Sequence, residues 1–270
     1  VGLLFRRLGF QRLVQGERGR GFAYWYKRGD ASKQPIVLLH GIGTGPSSYA
    51  VLLKALCLAH PNAPIIALEI PHIAMELPHT QDWADHFSEE AFCENIELIL
   101  SAHRFTAKGK PKPVLIAHSF GCFIARWMLD SRKRTVVVGG AVFLDPLNFL
   151  LPYPDISMRL ASEPKNFYEF LVRRLIMRES CVAYVLNRKG IWPRCCIWQE
   201  DFEHLPNNFK IEVALSKRDL FFDTRVVAAY LDHCMGEALN HHTFECTHGG
   251  ILFRPDILEH VVHMVTRVEE

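Results

Sequence analysis

Four consecutive apolar residues, Ile36-Val-Leu-Leu39, stop at a glycine-rich turn, and similar runs recur at Ile65 to Leu68, Val114 to Ala117 and Val136 to Leu144. Short runs without polar alternation mark strands buried on both faces, as in a parallel sheet. Longer stretches with helical spacing separate them. One spans Ser47 to Ala59, with Ser47 or Ser48 as its N-cap. Another spans Ser88 to His103, opened by Ser88 with Glu89 and Glu90 in the first turn, and a third Phe120 to Leu129. Strand and helix patterns that alternate in this way predict a βαβ series around a parallel sheet. The aromatic-rich Phe22 to Lys27 predicts an antiparallel strand ahead of that series.

The pattern breaks after Leu144. From Pro146 to Pro206 the chain is rich in proline, aromatic residues and arginine, with a helical stretch at Phe167 to Met177. Regularity then resumes: a strand at Ile211 to Leu215, a helix at Thr224 to His233, a strand near His242 to Cys246, and a last helix from Pro255, a residue suited to a first helical turn. The expected organisation is one α/β domain made of residues 1–145 and 207–270, with 146–206 inserted in it. The opening segment, Val1 to Phe10, mixes large apolar residues with Arg6 and Arg7. Two roles suit it: a strand or helix docked on the domain, or a segment resting on a membrane surface. A start at Val1 rather than Met reads as a fragment or a processed product, and no apolar run is long enough for a transmembrane helix.

Composition narrows the function classes. Lysine and arginine total 31 against 29 aspartates and glutamates in 270 residues. That balance lacks the basic excess of a nucleic-acid binder. The eight cysteines form no C-x-x-C pair and no zinc-ligand spacing, and several sit in apolar runs. They read as reduced, mostly buried thiols of a reducing compartment, cytosolic or facing the cytosol. His241, His242 and His248 also lack metal-ligand spacing, so no metal and no cofactor is expected.

Three motifs carry chemistry. Ala117-His-Ser-Phe-Gly121 stands between a buried strand and a helix, where Ser119 would sit on a tight turn with its Oγ raised above the sheet end. Small neighbours are needed there, and Ala117 and Gly121 supply them. The helix N-terminus behind the turn favours negative charge. His40-Gly-Ile-Gly-Thr-Gly45 follows the first buried strand, where glycines let the backbone approach a reacting group. The backbone N–H groups of Ile42 and Phe120 are the expected oxyanion donors. The loop lacks both the P-loop ending and the dinucleotide spacing. Cys246-Thr-His-Gly-Gly250 places His248 on a mobile loop before the last helix, suited to a general base. The expected acid is Asp219, after the strand ending at Leu215, with Asp145 as the alternative and Asp223 a third candidate. His40, Gly41, Gly43, His118 and Gly121 are expected to support these groups.

With elbow, His-Gly loop, late aspartate and terminal histidine in order, residues 22–268 resemble the α/β-hydrolase superfamily. Leu39-His-Gly-Ile-Gly43, Glu69-Ile-Pro-His-Ile73 and Leu144-Asp-Pro146 further resemble a poorly characterised, largely fungal and protist group of its members. The resemblance implies the α/β-hydrolase fold: a mostly parallel central sheet with helices on both faces and a helical cap at 146–206. It also implies a serine hydrolase of carboxylic esters, thioesters or lipid-like acyl groups. Ser119 speaks against the aspartate-nucleophile epoxide hydrolases and dehalogenases. Peptidase, hydroxynitrile lyase and non-catalytic scaffold remain alternatives. The inserted segment holds Phe149, Tyr153, Phe167, Tyr168, Phe170, Trp192 and Trp198, expected mostly as its own core, with some lining a pocket for a small apolar substrate.

Overall fold

In the computed structural model, described for residues 2–16, 21–75, 87–130, 137–189, 192–201, 205–206, 208–234 and 239–269, eight strands form one sheet in the order β1-β2-β4-β3-β5-β6-β7-β8. The strands are β1 (Phe10–Gln15), β2 (Phe22–Lys27), β3 (Ile36–Leu39), β4 (Ile65–Leu68), β5 (Val114–His118), β6 (Gly140–Leu144), β7 (Lys210–Arg218) and β8 (Leu239–Thr247). β2 runs antiparallel to both β1 and β4, while β4, β3, β5, β6, β7 and β8 are mutually parallel.

The apolar runs explain this arrangement. Every residue of β3, β4, β5 and β6 is buried, and successive side chains point to opposite faces. Val37, Leu39, Leu115, Ala117 and Phe143 enter one core, with side chains of α3 (Glu89–Ala102), α4 (Gly121–Leu129) and α9 (Thr224–Cys234). Ile36, Leu38, Val114, Ile116 and Val142 enter the other, with side chains of α1 (Gly2–Arg7), α2 (Ala50–Ala59) and α10 (Pro255–Glu269). A strand covered on both faces has no place for alternating polar residues.

Residues 146–206 contribute α5 (Pro154–Ala161), α6 (Phe167–Phe170), α7 (Ser180–Tyr184) and α8 (Trp192–Cys195). Wider helical turns continue α6 through Leu171–Ile176 and α7 through Val185–Lys189. Polar anchors tie the segment to α4. Arg126 donates to the Cys196 carbonyl (3.0 Å) and to Asp201 (2.6 Å), and Asn148 donates to the carbonyls of Cys122 (3.0 Å) and Cys195 (2.8 Å).

Several elements differ from expectation. The chain enters α2 through a tight turn at Gly45–Tyr49, and neither Ser47 nor Ser48 caps the helix; both hydroxyls bond back to Thr44 instead. Ser88 does cap α3, accepting from the Ala91 N–H at 3.1 Å. The fourth apolar run pairs only from Gly140, and Val136 lies outside the described residues. The opening segment forms both a helix and an edge strand. Phe5 of α1 is buried edge-on against Trp25 at 5.0 Å, while Leu3 and Leu4 stay exposed. No helix among the described residues is long and apolar enough to cross a membrane.

The expected aromatic core of 146–206 is not what forms. Phe149 is buried against Phe143 and Tyr230 of the main domain, but Phe167, Phe170, Tyr153 and Trp198 are exposed. The Trp192 side chain lies outside the described residues. The apolar side chains these helices do bury include Ile156, Val182 and Val185, while Met158, Leu160 and Leu175 stay exposed with the rings.

Candidate active site

The loops that follow β3, β5, β6, β7 and β8 leave the same end of the sheet, where ligands bind in open α/β folds. Ser119 follows β5 directly with φ +52°. Its N–H donates to the Leu144 carbonyl of β6 (2.9 Å), and its own carbonyl receives the Cys122 N–H as α4 begins (3.0 Å). A left-handed, non-glycine residue between strand and helix is strained and needs close support. Two glycines allow that support. A Cβ on Gly121 would lie 2.2 Å from the Leu39 carbonyl oxygen, and one on Gly41 would lie 2.9 Å from both His118 Nδ1 and Ser119 Cβ.

Ser119 Oγ lies 2.9 Å from His248 Nε2, and His248 Nδ1 lies 2.6 Å from Asp219 Oδ2. All three residues are buried. Asp219 Oδ1 also receives the Phe221 N–H at 2.7 Å, and the Phe221 ring meets the imidazole edge-on at 4.6 Å. Burial alone would lower the His248 pKa. The Asp219 charge, the hydrogen bond to it and the charge of Asp145 outweigh that, so the pKa ends above its ordinary value.

Asp145 is close but occupied elsewhere. It is fully buried at the end of β6, at φ +46°. Oδ1 accepts the Ser216 N–H (2.7 Å), and Oδ2 accepts the Ser216 hydroxyl (2.9 Å) and the Gly249 N–H (2.7 Å). It therefore holds the backbone beside His248 rather than the imidazole. Burial raises its pKa. Asp223 pairs with Arg225 at 3.2 Å, away from the imidazole. Asp145, Asp219 and His248 are the one group among the described residues close enough to share a metal ion, and hydrogen bonds already engage all three.

The His-Gly loop is pinned by polar contacts that motif reading does not specify. His40 Nδ1 donates to the Gly41 carbonyl (2.7 Å), and Nε2 accepts the Ile70 N–H (2.9 Å). This fixes a neutral tautomer, and burial lowers the His40 pKa to about 4. Tyr49 Oη accepts the Gly41 N–H (2.7 Å) and lies 2.6 Å from His118 Nδ1. Burial first, then His248 and His40, holds His118 well below its usual pKa. The Gly43 N–H donates to the Ile73 carbonyl at 3.0 Å. The amides of Ile42 and Phe120 donate to no acceptor among the described residues, and both residues line the cavity that contains Ser119.

That cavity has a volume of about 510 Å³. Leu147, Leu151, Ile156, Val172, Leu175 and Leu186 of the inserted segment contribute to its apolar wall. Of the aromatic residues expected there, only Tyr168 takes part among those described, and its hydroxyl donates to the His248 carbonyl at 2.5 Å. The contacts of Tyr49 and Ser216, and the bond from the Tyr168 hydroxyl to His248, are not revealed by sequence patterns. Each residue acts through a hydroxyl whose partner is distant in the chain.

Residues 36–239 match the model of the alpha/beta hydrolase family, and the chain belongs to that family. Among curated proteins it is 27% identical over 139 residues to abhydrolase domain-containing protein abhd-5.2 of Caenorhabditis elegans. That match covers 51% of this chain and 29% of the relative, so the matched stretch spans under a third of that protein's length. Among solved structures, a bacterial membrane phospholipase A superposes with a TM-score of 0.70 at 12% identity, over 99% of this chain and 89% of that one. A thermophilic esterase from Thermogutta terrifontis gives 0.64 at 12% identity, over 96% and 100%. Naproxen esterase from Bacillus subtilis gives 0.61 at 13%, over 98% and 97%. At these identities the likeness is one of fold.

Proposed function

We propose that the chain is a serine hydrolase that cleaves carboxylic esters, thioesters or lipid-like acyl compounds through an acyl-enzyme. The observation that carries this reading is the continuous Ser119–His248–Asp219 hydrogen-bond chain, with contacts of 2.9 and 2.6 Å. Ser119 Oγ attacks the acyl carbonyl as His248 Nε2 takes its proton. Asp219 keeps the other imidazole proton on Nδ1 and stabilises the imidazolium that forms. The oxyanion takes the N–H groups of Ile42 and Phe120, each worth about 2.7–4 kcal/mol of transition-state stabilisation. The leaving group departs with the proton from Nε2, and a water activated by the same nitrogen releases the acid. In this reading residues 146–206 act as a cap whose aliphatic side chains enclose the acyl chain. The esterase and phospholipase names of the structural neighbours agree with such substrates.

Fluorophosphonate labelling read by intact mass tests the proposal. One adduct is expected on the wild type and none on Ser119→Ala, with thermal midpoints nearly equal. A folded wild type that takes no adduct would favour a non-catalytic binding role instead.

A further inference from the structure

A second cavity, of about 690 Å³, adjoins the one that holds Ser119. Leu151, Ile156, Leu160, Met177 and Leu186 line both, so the two share an apolar wall. They differ in charge. Among the described residues, no lysine, arginine, aspartate or glutamate lines the Ser119 cavity. The second presents Arg173, Arg174 and Arg178 against a single acid, Glu163.

The bonding of these arginines leaves positive charge uncompensated. Arg173 is 9% exposed and has no carboxylate partner among the described residues. Its Nη1 donates to the carbonyls of Arg159, Leu160 (3.2 Å) and Ser162 (3.0 Å) at the end of α5, while its buried Nε meets no acceptor there. Burying a cation without a counter-charge is costly, and helix-end carbonyls offset only part of that cost. Arg174 pairs with Glu163, whose carboxylate is 80% exposed. Such surface pairs contribute little and exchange readily. Arg178 is exposed and has no acidic partner among the described residues. A planar guanidinium with free donors suits the paired oxygens of a phosphate or carboxylate.

We propose that this cavity is a subsite for the anionic group of the substrate, carried on the same molecule whose acyl chain occupies the Ser119 cavity. The inference rests on the serine-hydrolase reading and narrows its substrate to an anionic amphiphile. The anion takes no part in the bond changes at the ester; Arg174 and Arg178 bind it and so hold the carbonyl over Ser119.

Calorimetric titration with non-hydrolysable ethers tests this apart from the chemistry. Decyl glycerophosphate, decyl glycerol and inorganic phosphate are titrated below micellar concentration into the wild type and an Arg174→Ala, Arg178→Ala double variant. On the wild type the phosphate-bearing ether is expected to bind at least about tenfold tighter than the neutral one. In the double variant that advantage should shrink to about twofold, with decyl glycerol affinity unchanged, which also shows the fold intact. Arg178→Glu, a change at an exposed position, should shrink it too. Equal affinities on the wild type, or an advantage that survives the double variant, would overturn the subsite. Inorganic phosphate binding as tightly as the ether would overturn its link to the acyl cavity. These ligands cannot be hydrolysed, so the outcome is independent of fluorophosphonate labelling at Ser119, which decides the hydrolase reading.

Discussion

Replacing Asp145 by asparagine should cost stability first and turnover second, and the same change at Asp219 should do the reverse. Asp145 accepts two backbone N–H groups and one hydroxyl on two oxygens. An amide has a single acceptor oxygen. Whichever way it turns, its NH₂ faces the N–H of Ser216 or of Gly249, and one buried donor loses its acceptor. That loss costs about 1–3 kcal/mol, and the surviving bonds weaken without the charge. Part of this returns, because burial already disfavours the ionised carboxylate. A net loss of about 2–3 kcal/mol should lower the thermal midpoint by about 4–12 °C. Slack in the Gly249 backbone would displace His248 and slow turnover by about tenfold to a hundredfold.

At Asp219 the numbers invert. An asparagine there can keep the Phe221 N–H on its oxygen, so stability falls by only about 1 kcal/mol. Its NH₂ then faces His248 Nδ1 and selects the tautomer protonated on Nε2, which cannot take the serine proton. A loss of about 10⁴ in kcat is expected. Steady-state hydrolysis of p-nitrophenyl butyrate, run beside differential scanning calorimetry, reads both quantities. If Asp145→Asn showed the 10⁴-fold loss while Asp219→Asn stayed within about tenfold of wild type, the roles drawn from the hydrogen bonds would be exchanged.

Three further outcomes follow from the same geometry. The proposed mechanism needs neutral His248, whose pKa is raised, so kcat/KM should rise with pH through a midpoint above the ordinary 6.5; a midpoint below it would contradict the pairing. The stability contributed by that group runs the other way: it is fully present below the unfolded value and lost as pH rises through the folded one. Gly121→Ala puts a Cβ 2.2 Å from the Leu39 carbonyl oxygen and 2.8 Å from that of His40, so a loss of about 1–3 kcal/mol in denaturant unfolding should accompany reduced kcat. Unchanged activity would mean the loop tolerates displacement. Phe5→Ala should cost about 3–5 kcal/mol by urea unfolding, since Phe5 is fully buried; a loss under about 1 would show that α1 is not docked.

The central sheet was legible because burial on both faces leaves no choice but continuous apolar runs, as in Ile36 to Leu39 and Val114 to Ala117. The elbow at Ser119 was legible because close packing demands small residues, which motif spacing records. β1 was not, since Phe10 is its one fully buried residue and its pairing with β2 is an edge contact. Tyr49 left no signal either. Its ring packs like any core aromatic, and only the tertiary fold brings its hydroxyl to Gly41 and His118.

The choice between Asp145 and Asp219 shows where pattern reading runs out. Both follow apolar runs that become neighbouring parallel strands, and both carboxylates lie within 4.8 Å of the His248 imidazole. Local geometry separates them. Asp145 follows β6 directly and turns at φ +46°, which directs its oxygens to Ser216 and Gly249. β7 runs on past Ala214, the partner of Leu144, as far as Arg218, and so delivers Asp219 farther along the strand direction. From there it reaches Nδ1. The two acids act on the same histidine in different ways, since Asp145 sets where its loop lies and Asp219 sets how the imidazole is turned. Both acids end beside the histidine, and the greater length of β7, which runs to Arg218 while β6 stops at Leu144, carries Asp219 to the ring.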